Sequence, residues 1–206
     1  VAARWRAARG SVVACEGRAA VSLAAAALSA ASVAGSWVAV LGLPEVGLAA
    51  LAEAGVVLER VVCVAGADDL PWPEVLAAAV DGFELLVVGP ALAHVAPAVV
   101  RRVLARAAAR GVVVLAVDAP VFGADLHLDV TRTEWRGLDA GHGVARERRA
   151  TVCLSGRRVP RPRAAALWLP STSGAAEGCT PVEAPDGVDG TVDDTVDHAV
   201  VWRSVG

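Results

Sequence analysis

Short apolar segments alternate with longer amphipathic segments over the first 118 residues of this 206-residue chain. Five of the apolar segments are rich in valine and are predicted as strands: Ser11–Cys15, Trp37–Leu41, Arg60–Ala65, Glu84–Val88 and Val112–Val117. The stretches between them are predicted as helices: Ala19–Ser32, Val46–Ala54, Pro73–Val80 and Ala96–Arg110. Continuous apolar strands separated by helices are typical of a parallel sheet that is covered on both faces. The pattern therefore predicts an α/β core over residues 1–118.

The pattern changes after Asp118, where the remaining strands are joined by Gly and Pro turns. Three strands are predicted there: Ala124–Trp135, Arg149–Ser155 and Ala164–Leu169. In the first of them, apolar and polar residues alternate, which puts Leu126, Leu128 and Val130 on one face. Such alternation favours an antiparallel sheet with one face toward water. We therefore expect residues 119–170 to form an antiparallel β extension of the same domain.

Charge is distributed unevenly, although the net charge of the whole chain is only −3. Residues 132–163 contain nine arginines against three acidic residues, a net charge of +6. Residues 171–206 contain seven acidic residues against one arginine, a net charge of −6. This last segment is rich in Gly, Pro, Asp and Thr and has little periodicity, which predicts a disordered acidic tail. The overall balance gives the chain no general attraction to nucleic acid.

Cysteine usage and hydropathy indicate a reduced, cytoplasmic protein. The four cysteines (15, 63, 153 and 179) include no CxxC pair, and the first three lie in apolar strand-like segments where a thiol packs as a small hydrophobe. The uncharged stretch Ala19–Leu43 is long enough to span a membrane. Gly35 divides it into a helix and a strand, so we expect no membrane segment.

The first strand–turn–helix unit has the layout of a phosphate-binding loop without its chemistry. Its turn is Glu16-Gly17-Arg18-Ala19-Ala20. The turn contains one glycine and an acidic side chain that would repel phosphate, and Ser22 alone remains of the usual Lys-Ser/Thr pair. All 19 basic residues of the chain are arginines, so no lysine can reach a phosphate. A GC-rich genome and a loss of catalysis both explain the missing lysine.

The order of these elements resembles the ATP-binding core of RecA, and the span from Gly10 to Pro170 resembles the actinobacterial ImuA-type mutasome protein. The phrases that carry the resemblance are WVAVLGLPEVGL (Trp37–Leu48), EWRGLDAGHG (Glu134–Gly143) and LWLP (Leu167–Pro170). This resemblance implies a RecA-like, mostly parallel sheet flanked by helices, followed by the β extension and the tail.

Each ATPase position of RecA is altered where it maps onto this chain. The phosphate loop is reduced to the turn at residues 16–20, and the water-polarising glutamate falls at Pro44, with Glu45 one step away. The aspartate that organises Mg²⁺ falls at Gly89. Phosphoryl transfer depends on these groups. The resemblance therefore implies a protein that is not an enzyme and that has no catalytic residue, bound cofactor or metal.

The resemblance also implies a function in DNA-damage-induced mutagenesis. ImuA-type proteins accompany an inactive Y-family polymerase homologue of the ImuB type and an error-prone C-family polymerase during translesion synthesis, which places them with the nucleoid in the cytoplasm. Direct DNA contact and homo-oligomers are both compatible with such a protein. Two other classes stay open: a SulA-type inhibitor of cell division, and a single-stranded DNA-binding RecA relative.

Arginines and one tryptophan are the candidate contacts for a partner or for DNA. The candidate set is His142, Arg146, Arg148, Arg149, Arg157, Arg158, Trp202 and Arg203. Guanidinium groups bind phosphate or carboxylate in a bidentate manner, and a tryptophan on an acidic tether suits a docking motif. The alternatives are solvated arginines on strand faces, a tight turn around His142, and an end segment that folds back onto the domain.

Three other sets of residues are predicted to be structural. Trp37, Trp135 and Trp168 are interpreted as buried anchors. The alternating Asp125, His127 and Asp129 are interpreted as the water-facing side of their strand. Asp68 and Asp69 lack the spacing of a metal site.

Overall fold

The structure is a computed structural model that describes residues 7–65, 70–139, 142–157 and 159–179. Its parallel strands are β1 (Val12–Gly17), β2 (Val38–Leu41), β3 (Val61–Val64), β4 (Leu85–Val88) and β5 (Val113–Val117). Its helices are α1 (Ala20–Val33), α2 (Leu48–Glu53), α3 (Trp72–Gly82) and α4 (Pro97–Arg110). Every predicted core element is present with ends within two residues of the prediction. The predicted α/β core is therefore confirmed.

The second part of the chain adds antiparallel strands to the same sheet. They are β6 (Leu126–Asp139), β7 (His142–Gly156), β8 (Arg163–Trp168) and β9 (Glu177–Gly178). The strand order is β3-β2-β4-β5-β1-β6-β7-β8-β9. Strand β6 runs parallel to β1 and antiparallel to β7, so it joins the two parts of the sheet. The predicted β extension is confirmed.

The core lies in two layers, one on each face of the sheet, because successive side chains of a strand point to opposite faces. Val38 and Val40 of β2 pack with helices α1 and α2, whereas Ala39 and Leu41 pack with α3 and α4. Strand β4 lies between β2 and β5 and is fully buried. This double burial explains why β2, β4 and β5 are apolar at every position.

Helix ends follow their sequence signals. Pro73 and Glu74 lie in the first turn of α3, and α4 ends at Gly111, whose φ of 72° is the left-handed conformation of a helix C-cap. Arg106 of α4 pairs with Asp81 at the end of α3, with 2.8 Å between Nε and Oδ1. These contacts hold α3 and α4 side by side over one face of the sheet.

Two tryptophans predicted to be buried are instead half exposed. Trp37 is 45% exposed because it precedes β2 at an open end of the sheet, where the Arg60 guanidinium lies 5.7 Å from its ring. Trp135 is 43% exposed because it lies on β6 beyond the part of the sheet that the helices cover. The third, Trp168, is partly buried, with the Arg136 guanidinium 4.6 Å from its ring.

Two further predictions need correction. Cys63 is exposed because β3 is the edge strand of the sheet, whereas Cys15 is buried as predicted. The segment predicted as a disordered tail begins with packed residues: Ser171 and Cys179 are buried, and β9 pairs with β8. The rest of that segment, residues 180–206, lies outside the described residues. Among the described helices, none combines the length and hydropathy needed to cross a membrane.

Candidate functional site

The carboxyl edge of the parallel strands is where an open α/β sheet binds its ligand. Here β1 ends at Gly17 and α1 begins at Ala20, so only Arg18 and Ala19 connect them. Gly17 has a φ of 89°, and a Cβ atom there would lie 2.7 Å from the Val130 carbonyl oxygen of β6. The turn is therefore short and pressed against β6, without the length to wrap a phosphate chain.

The end of β1 is acidic. The Glu16 carboxylate lies 3.6 Å from Nδ1 of His127 on β6, and Asp118 follows β5 with its N–H bonded to the Cys15 carbonyl. Burial, with smaller contributions from the charges of Asp118 and Glu16, raises the pKa of the Cys15 thiol to about 12. The Glu16 and Asp118 carboxylates thus place negative charge beside the turn, where it would repel a phosphate.

Ser22 lies in the first turn of α1, and its hydroxyl accepts a hydrogen bond from an arginine of the β extension. Nη2 of Arg148 on β7 donates to Ser22 Oγ over 2.6 Å, and Nε donates to the Leu169 carbonyl over 2.6 Å. The same guanidinium lies 5.0 Å from the ring of Trp135. Burial lowers the pKa of Arg148, as expected for a cation removed from water. A hydroxyl that accepts from a cation is a poor ligand for Mg²⁺.

The crevice between β2 and β4 is closed by contact between two backbones. Gly89 follows β4, and a Cβ atom there would lie 2.8 Å from Leu43 Cα and would overlap the Gly42 carbonyl oxygen. Its N–H bonds to the Leu41 carbonyl over 2.9 Å, and Leu92, fully buried, lies against Gly42. No side chain fits at position 89, so an Mg²⁺-binding carboxylate has no room there.

The remaining mapped position is equally unsuited to a nucleotide. Pro44 and Glu45 are both exposed in the turn between β2 and α2. Pro44 has no group that polarises water. The residues present at this edge therefore do not fit a magnesium-bound nucleotide: the turn is short and acidic, Ser22 is engaged, and the crevice is filled.

Beyond Val130, strands β6 and β7 continue as a long two-stranded ribbon whose arginines have partners. Arg136 lies 3.4 Å from Glu147 and stacks on Trp168, and Arg132 pairs with Glu134. Arg149 stands opposite Glu134 in the ladder and is partly buried near the Cys179 thiol. The candidate arginines 148 and 149 are thus structural contacts in this conformation, which the sequence spacing alone did not reveal.

The other candidate contacts are separated in space. His142 and Arg146 are exposed near the tip of the ribbon, and His142 is the first residue of β7. Arg157 is exposed in the turn between β7 and β8 at the opposite end of these strands. Arg158, Trp202 and Arg203 lie outside the described residues, as do Asp68 and Asp69. The predicted strip is therefore two groups of arginines, one on the ribbon and one in the turn.

Asp125, His127 and Asp129 do not form a metal site. Asp125 accepts the Val12 N–H through Oδ2 over 3.0 Å, and His127 lies beside Glu16. In the described part of the chain, no group of three or more His, Cys, Asp or Glu side chains is placed to hold a metal ion. As predicted, Leu126, Leu128 and Val130 face the core on the opposite side of β6.

Sequence reasoning missed the two features that close the edge. The Arg148–Ser22 contact joins residues 126 positions apart and has no local signal. The glycine contact had a signal, because Gly42 follows β2 and Gly89 follows β4, and strand-end glycines often mark a close backbone approach.

Comparisons with known proteins give a family and a fold. A family model described as the MT3502 N-terminal domain matches residues 2–123. No curated protein matches the sequence. Among solved structures, the crystal structure of the RadB recombinase is similar, with a TM-score of 0.61 and 15% identity over 84% of this chain and 92% of that chain. The predicted RecA-like fold is confirmed, and the finer ImuA-type assignment stays a prediction.

Proposed function

The chain belongs to the family of the MT3502 N-terminal domain, and from its closed carboxyl edge we propose that it is a non-catalytic RecA-like accessory protein. Its proposed process is translesion synthesis in DNA-damage-induced mutagenesis, as the resemblance to ImuA-type proteins implies. The proposed partner is the inactive Y-family polymerase homologue, and through it the error-prone C-family polymerase.

One observation carries the non-catalytic part of the proposal: the backbone contact between Gly42 and Gly89. RecA-like ATPases place the carboxylate that organises Mg²⁺ at the end of the corresponding strand. A side chain at position 89 would have to displace the backbone of Leu43. A carboxylate at position 89 would thus require the backbones of two buried strand ends to separate. This supports a protein that binds a partner and does not hydrolyse ATP.

The distal ribbon supports a function in binding another protein. Its residues Leu138 and Val144 are 56% and 70% exposed, and Trp135 on the same ribbon is 43% exposed. Exposed apolar side chains on a projecting element are typical of protein–protein interaction sites. The polymerase homologue is therefore proposed to bind the ribbon tip, and Trp202 of the acidic tail is proposed as a second anchor.

Affinity capture tests this function directly. The full-length protein is used to capture the purified Y-family homologue, and Leu138→Ser with Val144→Ser is expected to weaken binding by about tenfold or more. Trp202→Ala is expected to weaken it as well. Val33→Ser is the matched control, because Val33 is 68% exposed on the end of α1. Failure of the wild-type protein to bind the homologue would overturn the proposal.

A second function, binding of single-stranded DNA, is favoured by one observation. Arg157, Arg161 and Arg163 are exposed in the β7–β8 turn, and no carboxylate of the described residues lies within 4.0 Å of them. Such arginines bind phosphates with an affinity that falls steeply with salt. A mobility shift that is absent even at low salt would exclude this function.

A further inference from the structure

The amino edge of the parallel strands, opposite the closed carboxyl edge, brings together arginines that are far apart in the sequence. Helix α4 ends at Arg110, and Gly111 connects it to the start of β5. Arg9 lies just before β1, the strand that pairs with β5. It lies against the end of α4, where a Cβ atom at Gly111 would be 3.4 Å from Cβ of Arg9. The parallel core thus contributes two arginines to this edge.

The antiparallel strands add two more arginines to the same edge. Arg157 directly follows β7, whose last residue pairs with the first residue of β6. The start of β6 is in turn paired with the start of β1. Arg163 is the first residue of β8, which pairs with the end of β7. Across three strand intervals of about 4.8 Å each, the distance from Arg9 to Arg163 is roughly 14 Å.

We call these four arginines the amino-edge row: Arg9, Arg110, Arg157 and Arg163. All four are exposed. Arg110 shares the Asp81 carboxylate with Arg106, and this group of three keeps a net positive charge. The other three members of the row have no carboxylate of the described residues within 4.0 Å. The row is therefore an exposed line of positive charge.

The two edges of the sheet differ in the placement of their acidic side chains. At the amino edge, the Asp125 and Glu84 carboxylates each accept a backbone N–H, over 3.0 and 2.6 Å. At the carboxyl edge, Glu16 ends β1 beside His127, and Asp118 directly follows β5. A polyanion is therefore attracted to the amino edge and repelled from the carboxyl edge.

The composition of the row favours a phosphate backbone over a protein as its ligand. Protein interfaces depend on apolar and aromatic anchors. The exposed large apolar side chains of the described chain all lie outside the row: Val33, Trp37, Leu48, Val62, Trp135, Leu138 and Val144. Guanidinium groups without such anchors bind phosphates through charge and through paired hydrogen bonds.

We propose that the amino-edge row binds the phosphodiester backbone of single-stranded nucleic acid. This proposal rests on the second function proposed above, and it extends that site from the β7–β8 turn to Arg9 and Arg110 of the parallel core. The nucleic-acid strand crosses the ends of β5, β1, β6, β7 and β8, on the side of the sheet away from the closed crevice.

Two arginines that flank β1 at opposite edges of the sheet provide a matched test, Arg9 before the strand and Arg18 after it, both exposed. Fluorescence anisotropy measures binding of a labelled oligothymidylate of about 20 nucleotides to the full-length protein over a range of salt concentrations. Arg9→Gln is expected to weaken binding on the order of threefold to tenfold at low salt and to make the log–log salt slope shallower by about 0.7. Arg18→Gln is expected to change the Kd by less than about twofold.

The outcomes separate this site from the function on which it rests. Equal losses in Arg9→Gln and Arg18→Gln would reflect net charge alone, and a larger loss in Arg18→Gln would place the nucleic acid at the carboxyl edge. Either result would overturn the proposal. Weakening by Arg157→Gln with Arg163→Gln, but not by Arg9→Gln, would overturn the extended row and leave the second function standing. No binding by the wild-type protein at low salt would remove both.

A competition experiment checks the class of ligand. Unlabelled oligothymidylate is expected to displace the labelled strand at a concentration at least about tenfold below that of polyglutamate of equal charge, because guanidinium pairs with phosphate along a regular backbone. Displacement by polyglutamate at an equal or lower concentration would make the row a site for acidic protein segments, and would overturn the assignment to nucleic acid.

Discussion

The carboxyl edge of the parallel strands and the β7–β8 turn with its exposed Arg157, Arg161 and Arg163 are both places where phosphate binding would be expected, and they differ in what surrounds the arginines. At the edge, Arg148 is held by Ser22, Leu169 and Trp135, and the crevice is filled by Gly42 against Gly89. In the turn, Arg157, Arg161 and Arg163 are exposed to solvent. The same residue type is therefore a structural contact in one region and an exposed side chain in the other.

This difference shows that the RecA-like layout and the capacity to bind an anion are separable. The layout depends on apolar strands and helices, which this chain keeps. Anion binding depends on donors without carboxylate partners, and Arg157, Arg161 and Arg163 at the far end of the extension are exposed and have no carboxylate of the described residues within 4.0 Å.

The largest expected effect is that of Gly89→Ala at the closed crevice. The φ of Gly89, −108°, suits any residue, so only the lack of space is at issue. The added Cβ would overlap the Gly42 backbone, and we expect a loss of about 3 kcal/mol or more in the free energy of unfolding. Urea denaturation measures it. Gly82→Ala is the matched control, since nothing lies within 4 Å of its Cβ position.

A smaller effect is expected from Arg148→Ala. Removing the guanidinium leaves the Ser22 hydroxyl and the Leu169 carbonyl without their donor, which should lower the free energy of unfolding by about 2 kcal/mol. Arg161→Ala in the exposed turn should change it by less than about 0.5 kcal/mol. Both values are measured by the same urea denaturation. Equal losses in the two variants would show that Arg148 stabilises the fold no more than the exposed Arg161 does.

Much of the core follows from the sequence because its signals are local. Valine-rich runs, Pro73 at a helix start and Gly111 at a helix end specify their elements through nearby residues. The half-exposed Trp37 and Trp135 were not predictable in this way, because burial depends on which element covers a strand. Likewise, the exposure of Cys63 depends on the position of β3 at the edge of the sheet.

At the candidate site, the sequence predicted only which ATPase residues are missing. The missing lysine, the acidic Glu16 and the glycine at position 89 are visible in the sequence and indicate an altered ATPase site. The contact of Arg148 with Ser22 is not visible, since it depends on β7 lying two strands from β1 with its side chain toward α1. The candidate arginines were likewise predicted as one strip, because spacing along the chain does not show that the ribbon and the turn lie at opposite ends of the strands.

Thermal unfolding of the full-length protein in the presence of Mg·ATP shows whether the carboxyl edge is closed to nucleotides. If the edge is closed, the Tm stays unchanged up to about 5 mM nucleotide, because a ligand raises Tm only by binding the folded state. A site with a Kd of about 50 μM would raise the Tm by roughly 5–10 °C at that concentration. A rise of that size, abolished by substituting Ser22 but not the partly buried Ser36, would show that the edge binds a nucleotide.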